Sequence, residues 1–170
     1  MNTILQFLNN FKKNKDMEMP IMELWESQTY FILEELVPKD VYYDRGDKAI
    51  EIISEPALRT LIKIRELFQN PITVNNWKWE GPYNNRGYRH ESYYNDDRKH
   101  YSQHQFGNAF DFDVRGFKAD DARELIKGWK KNGELPYLTG LEEGEGVTWV
   151  HIDCRLTDRL NEDGLFIFNP

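Results

Sequence analysis

The segment SQHQFGNAFDFD, residues 102–113, sets a histidine and two aspartates against a run that otherwise suits a buried strand. A second segment, TWVHIDCR at 148–155, does the same with His151 and Asp153. Side chains alternate between the two faces of a strand. Phe110, Phe112 and Val114 therefore share one face of the first segment, and Ala109, Asp111 and Asp113 share the other. In the second, Val150, Ile152 and Cys154 take one face and Trp149, His151 and Asp153 the other. If the two strands are neighbours in one sheet, Asp111 and His151 meet on its polar side. His104 lies upstream of Asp111, and Gly107 between them lets the chain turn so that both side chains reach one place. Two imidazoles and a carboxylate are the three-ligand set of a catalytic zinc site, which keeps a fourth position for water. The plainer alternatives are a solvated strand face and a hydrogen-bonded structural histidine. The spacing His-x6-Asp does not by itself force the side chains together, as a helical HExxH does.

These segments need a sheet and helices to hold them. The apolar spacing of Met22, Trp25, Thr29, Ile32, Leu33 and Leu36 predicts a helix over 21–36. Residues 37–54 read as a connection in which VYYD is extended. Ser54 is a helix cap with Pro56 in the first turn, and Leu58, Leu61, Ile62 and Phe68 carry that helix to about residue 69. ITVNNW is a short strand, AFDFDV another, and 118–131 a helix with Ala122, Leu125, Ile126 and Trp129 on one face, stopped at Asn132-Gly133. YLTGLE and VTWVHIDCR form a hairpin, and LFIFNP is a last strand. The fold expected is α+β: a small, mostly antiparallel sheet with helices on one face and the metal site on the other. Between ITVNNW and AFDFDV runs a polar, aromatic loop too long for a bland connection. Trp77, Trp79, Tyr83 and Tyr88 either wall a cleft there or form local core. His90 and His100 stand at no ligand spacing and are expected in solvent.

With 170 residues, one domain spanning 1–170 is expected, with 1–20 as an N-terminal helical extension bearing Ile4, Leu5, Leu8 and Phe11 on one face. A hydrophobic fraction of 39% with 14% aromatics is globular composition. The net charge of -7 argues against nucleic acid as a partner, because phosphate affinity comes from clustered Lys and Arg. No stretch is apolar enough for membrane insertion. The N-terminus does not read as a signal peptide, since its charges follow its apolar residues. Cys154 has no second cysteine to pair with, and its alternation with Val150 and Ile152 turns it to the core, away from a nucleophilic role.

The pattern Ser102-x-His104-x-x-Gly107-x-Ala109-x-Asp111, with Trp149-Val150-His151-Ile152-Asp153 downstream, resembles the signature of the M15 zinc peptidases. These are the D-Ala-D-Ala carboxypeptidase family, which includes phage L-alanyl-D-glutamate endolysins. ITVNNW…GPYNNRGYR and LFIFNP extend the resemblance over roughly residues 54–170. It implies that His104, Asp111 and His151 bind Zn2+. It also implies a monomeric, phage-derived or phage-like zinc peptidase that cuts peptidoglycan stem peptides, as carboxypeptidase or endopeptidase. Such a protein is made in the cytoplasm and acts at the cell wall after phage-type release. Many members carry Glu or Asp three positions before the second histidine; Thr148 stands there in this chain. Hairpin parity, with 143–146 as the loop and Glu142 opposite Val147, points Glu142 to the metal side as the acid/base, with Glu145 in the loop as the other candidate. Arg89 is where the family resemblance places a grip on a substrate carboxylate, with Arg86 the near alternative. Ser102 either holds substrate or caps the turn of His104. The Hedgehog signalling domain resembles the same family and keeps a zinc site while acting through protein contacts. If Thr148 marks loss of the acid/base, the chain is instead a zinc-stabilised binding or virion structural domain.

Overall fold

The computed structural model describes residues 19–94 and 101–169. The expected helical face at Ile4–Phe11 and the spare His100 lie outside the described residues. Four α-helices are described: α1 (Ile21–Ser27), α2 (Lys39–Arg45), α3 (Glu55–Phe68) and α4 (Ala119–Lys131). Five strands make one mixed, mostly antiparallel sheet: β1 (Ile72–Thr73), β2 (Ala109–Val114), β3 (Gly140–Glu142), β4 (Val150–Asp153) and β5 (Phe166–Phe168). Their order is β1-β2-β4-β3-β5, and only the β3–β5 pair is parallel. This is the α+β fold expected.

The alternation in AFDFDV decides how the layers stack. Phe110 and Phe112 are fully buried and face the helices. Helix α3 supplies Leu58, Leu61 and Ile64 to this core, and α4 supplies Ala122 and Ile126. Ser54 caps α3 by accepting a bond from the Ala57 amide at 3.4 Å, and its hydroxyl also donates to Asn108 at 2.7 Å, just before β2. Cys154 packs against the same core, and burial pushes its thiol up to about 12, which fits an inert residue. Leu125 departs from the expected face of α4 and is exposed.

Two expected elements differ. The helix predicted over 21–36 stops at Ser27. The Gln28 side chain accepts from the amides of Tyr30 and Phe31 at 2.8 and 2.9 Å and donates to the Phe31 carbonyl at 2.8 Å. Those local bonds replace helical ones. Phe31, Leu33 and Leu36 are then buried from a segment whose one regular piece is a 3-10 turn, Leu33–Glu35, while Ile32 is turned out. The segment taken as extended at VYYD is α2, begun after Pro38, and Gly46–Ile52 continues as 3-10 helix. Pro38 needs no amide partner at a helix start, so the proline favours the turn.

Arg123 on α4 is 2% exposed. It donates to the carbonyls of Trp149 and Val147 at 2.6 and 3.1 Å and pairs with the exposed Asp120. These bonds moor the loop that leads into β4. Replacing Arg123 with methionine keeps the bulk and orphans two carbonyls. The expected loss is about 2–4 kcal/mol of unfolding free energy. A denaturant midpoint equal to that of the wild type would contradict this role.

Candidate metal centre

Asp111 of β2 lies directly across from His151 of β4. The Asp111 amide is turned away from β4 and donates to Arg86 O at 2.6 Å, so this is a non-hydrogen-bonded pair, the kind whose side chains stand closer. Across the next pair, Leu141 faces Ile152 and Gly140 faces Asp153; the same register sets Glu142 beside His151. Glu142 in turn pairs with Phe168 of β5. One row, Asp111–His151–Glu142–Phe168, thus crosses four strands on the face opposite the helices.

His104 reaches this row from a 3-10 turn, Gln103–Phe106. Ser102 caps the turn, its hydroxyl accepting from the His104 amide at 3.4 Å. Gly107 ends it at φ 62°, where a Cβ would stand 2.0 Å from the Ile52 carbonyl, so only glycine fits. His104 is 1% exposed, Asp111 5% and His151 7%.

Three atoms converge. His104 Nε2 lies 3.2 Å from His151 Nδ1 and 3.2 Å from Asp111 Oδ1, and His151 Nδ1 lies 2.7 Å from Asp111 Oδ1. A tetrahedral ion with bonds of about 2.0–2.1 Å holds its ligand atoms about 3.3 Å apart, close to the two spacings from His104 and wider than the His151–Asp111 hydrogen bond. The far side of each ligand is also held. His104 Nδ1 is 2.7 Å from Gly87 O, Asp111 Oδ2 is paired with Arg89, and His151 Nε2 is 3.2 Å from Asp153 Oδ2. Outer hydrogen bonds of this kind orient metal-binding imidazoles. The buried group could hold a metal ion.

Charge in the cluster is unevenly shared. Burial alone would lower the basicity of His151, but the hydrogen bonds it donates to the Asp111 and Asp153 carboxylates outweigh this and raise its pKa to about 9. Burial lowers that of His104, with Asp111 only partly opposing. Burial would raise the Asp111 carboxyl, yet the two histidines hold it far below the carboxylate range. Without an ion, the centre is an Asp111–His151 ion pair beside a neutral His104.

A cleft of about 280 Å3 opens over these atoms. Its aromatic walls are Tyr101, Trp149 and Phe168. Trp77, Trp79, Tyr83 and Tyr88 do not line it, contrary to one of the two expectations for them. Trp77 donates to Val37 O at 3.0 Å beside Tyr42, Tyr83 lies under Arg86, and Tyr88 packs on the core, while Trp79 is exposed. Glu142 lines the cleft and accepts from the Trp149 indole at 3.1 Å. Glu145 is exposed and outside it, and Glu143 points away to Lys127. Thr148 is exposed and opens onto a small pocket with Phe112 and Ala122, on the helix side of the sheet and not in the cleft.

Ser102 and Arg89 line the cleft, whereas Arg86 pairs with Asp113 at 2.5 Å. Arg89 already uses two donors, on Asp111 and on Asn85 O at 2.6 Å. Arg155 also lines the cleft, stacked 4.3 Å over the Phe168 ring. Sequence reasoning missed Arg155 and Phe168, because nothing local signals that β5 runs beside β3. His90 is exposed and bonded to Ser92, as expected of a spare histidine. Among the described residues, no helix is long and apolar enough to cross a membrane. Comparison with protein-family models, with curated proteins and with solved structures yields no match.

Proposed function

We propose that this chain is a zinc-dependent peptidase that hydrolyses stem peptides of bacterial cell wall, in a phage or phage-like setting. The observation that carries this reading is the convergence of His104 Nε2, Asp111 Oδ1 and His151 Nδ1 on the floor of a cleft that also holds the Glu142 carboxylate. The resemblance of the 102–111 and 149–153 motifs to M15 peptidases supports it. His104, Asp111 and His151 would hold zinc, which when bound acidifies a water and polarises a carbonyl.

The chain's own residues supply the rest. Glu142 takes a proton from the attacking water and returns it to the departing amine nitrogen. Its bond from Trp149 fixes the carboxylate in the cleft. Arg89 and Arg155 put positive charge at the cleft wall, suited to a peptide that carries a carboxylate near the cut bond. Tyr101, Trp149 and Phe168 cover the apolar parts of the peptide and exclude water. Ser102 acts mainly by capping the His104 turn.

Incubation of the purified protein with bacterial peptidoglycan tests this reading. New free amino groups should appear, and a chelator should stop their release. Intact peptidoglycan, with zinc supplied in excess, would refute the peptidase.

A further inference from the structure

We propose that Asp153 is a positioning residue for the metal. It accepts the Nε2–H of His151 and so fixes which ring nitrogen is left bare toward His104 and Asp111. This rests on the zinc reading of the site.

Behind the row that carries the ligands, a second row runs Ala109–Asp153–Gly140–Phe166 on the same face. Its small members make room for the carboxylate. A Cβ on Gly140 would stand 2.1 Å from Asp153 Oδ1, so the acid occupies the space a side chain would need. Asp153 is 1% exposed. Arg155 clamps it through its backbone amide at 3.1 Å from Oδ1, through Nε at 2.9 Å from both oxygens, and through Nη2 on Oδ2. The clamped Oδ2 then meets His151 Nε2 at 3.2 Å.

A carboxylate held this way only accepts hydrogen bonds. A bare Nε2 facing it would set lone pair against lone pair, so Nε2 keeps its hydrogen and Nδ1 is the nitrogen that gives up its own to an ion. Nδ1 is the atom that faces Asp111 Oδ1 and His104 Nε2. Asparagine at 153 inverts this logic. Arg155 can only donate, so it takes the amide oxygen and leaves the amide NH2 toward Nε2. That favours a hydrogen on Nδ1, where the ion should bind.

Two measurements test the proposal. In zinc-loaded wild type labelled with 15N at histidine, long-range 1H–15N spectra should show His151 protonated at Nε2 and metal-bound at Nδ1. In Asp153→Asn, chelator competition should show zinc affinity lowered about 10- to 100-fold. A His151 bound to zinc through Nε2, or a folded Asp153→Asn with wild-type affinity, overturns the role of Asp153 and leaves the zinc site standing. A wild type that takes up no zinc removes the site itself, and the proposal with it. If Asp153→Asn does not fold, the wild-type spectra decide alone.

Discussion

Glu142→Gln should lower peptide cleavage by about 10²- to 10⁴-fold, the usual contribution of a placed general acid/base. Glutamine keeps the length of the side chain and its bond from the Trp149 indole, but it cannot take and return a proton. Zinc content should not change, because Glu142 is not among the three atoms that converge. Turnover of a defined stem peptide, measured beside metal content, separates the two effects. The register of β3 on β4 gives the reason for choosing Glu142: it is set beside His151, while Glu143 is bound to Lys127 and Glu145 faces solvent. If Glu142→Gln kept most of its activity and Glu145→Gln lost it, the assignment would be wrong.

A second large effect concerns pH. In metal-free protein, the folded pKa of His151 is about 9, above its ordinary value of 6.5. A group raised on folding contributes stability that is complete below the unfolded pKa and is lost as pH climbs through the folded one. Between pH 6.5 and 9 the folded state holds a proton that the unfolded state has released. Stability should therefore fall, by up to about 1.4 kcal/mol per pH unit. His104 is lowered instead, so it adds a loss of stability on acidification below 6.5. The metal-free protein should thus be most stable near neutrality. Zinc competes with the His151 proton, so zinc-loaded protein should not show the alkaline decline. Thermal unfolding from pH 6.5 to 9, with chelator and with zinc, reads this directly. Parallel curves would mean that His151 is not the proton that zinc displaces.

How much of this was legible in the sequence depended on which residues set the geometry. The polar faces of Asp111 and His151 followed from a period of two on both strands, a rule that tolerates few exceptions where one face is buried; that the strands are neighbours came from the sheet. Glu142 was reached through a mistaken register: opposite Val147, with 143–146 as the loop. The strand begins only at Val150, and Glu142 sits by His151. The slip between 147 and 151 is an even number of residues, so the face was right although the partner was wrong. Helix 21–36 misled because Leu33 and Leu36 are buried at helical spacing while belonging to a separate 3-10 turn, Leu33–Glu35; the Gln28 amide that ends α1 leaves no mark on hydrophobic periodicity. Pro38 concealed a helix start in what read as an extended connection. The cleft walls were illegible for a different reason. Phe168 comes to the site through the parallel β3–β5 pairing, a long-range contact that no local pattern encodes, and Arg155, just past β4, stacks on its ring. Asp153 was visible as a residue on the face of His151, but its partnership with Arg155 over Gly140 needed the sheet.

Metal analysis of protein purified without chelators, wild type beside His151→Ala, tests the central claim most directly. About one zinc per wild-type chain is expected, as for a single three-ligand site, and little or none in the variant. A wild type that binds no zinc even when titrated with it, or a His151→Ala protein that retains a full equivalent, would contradict the metal centre and leave the cluster as a buried ion pair.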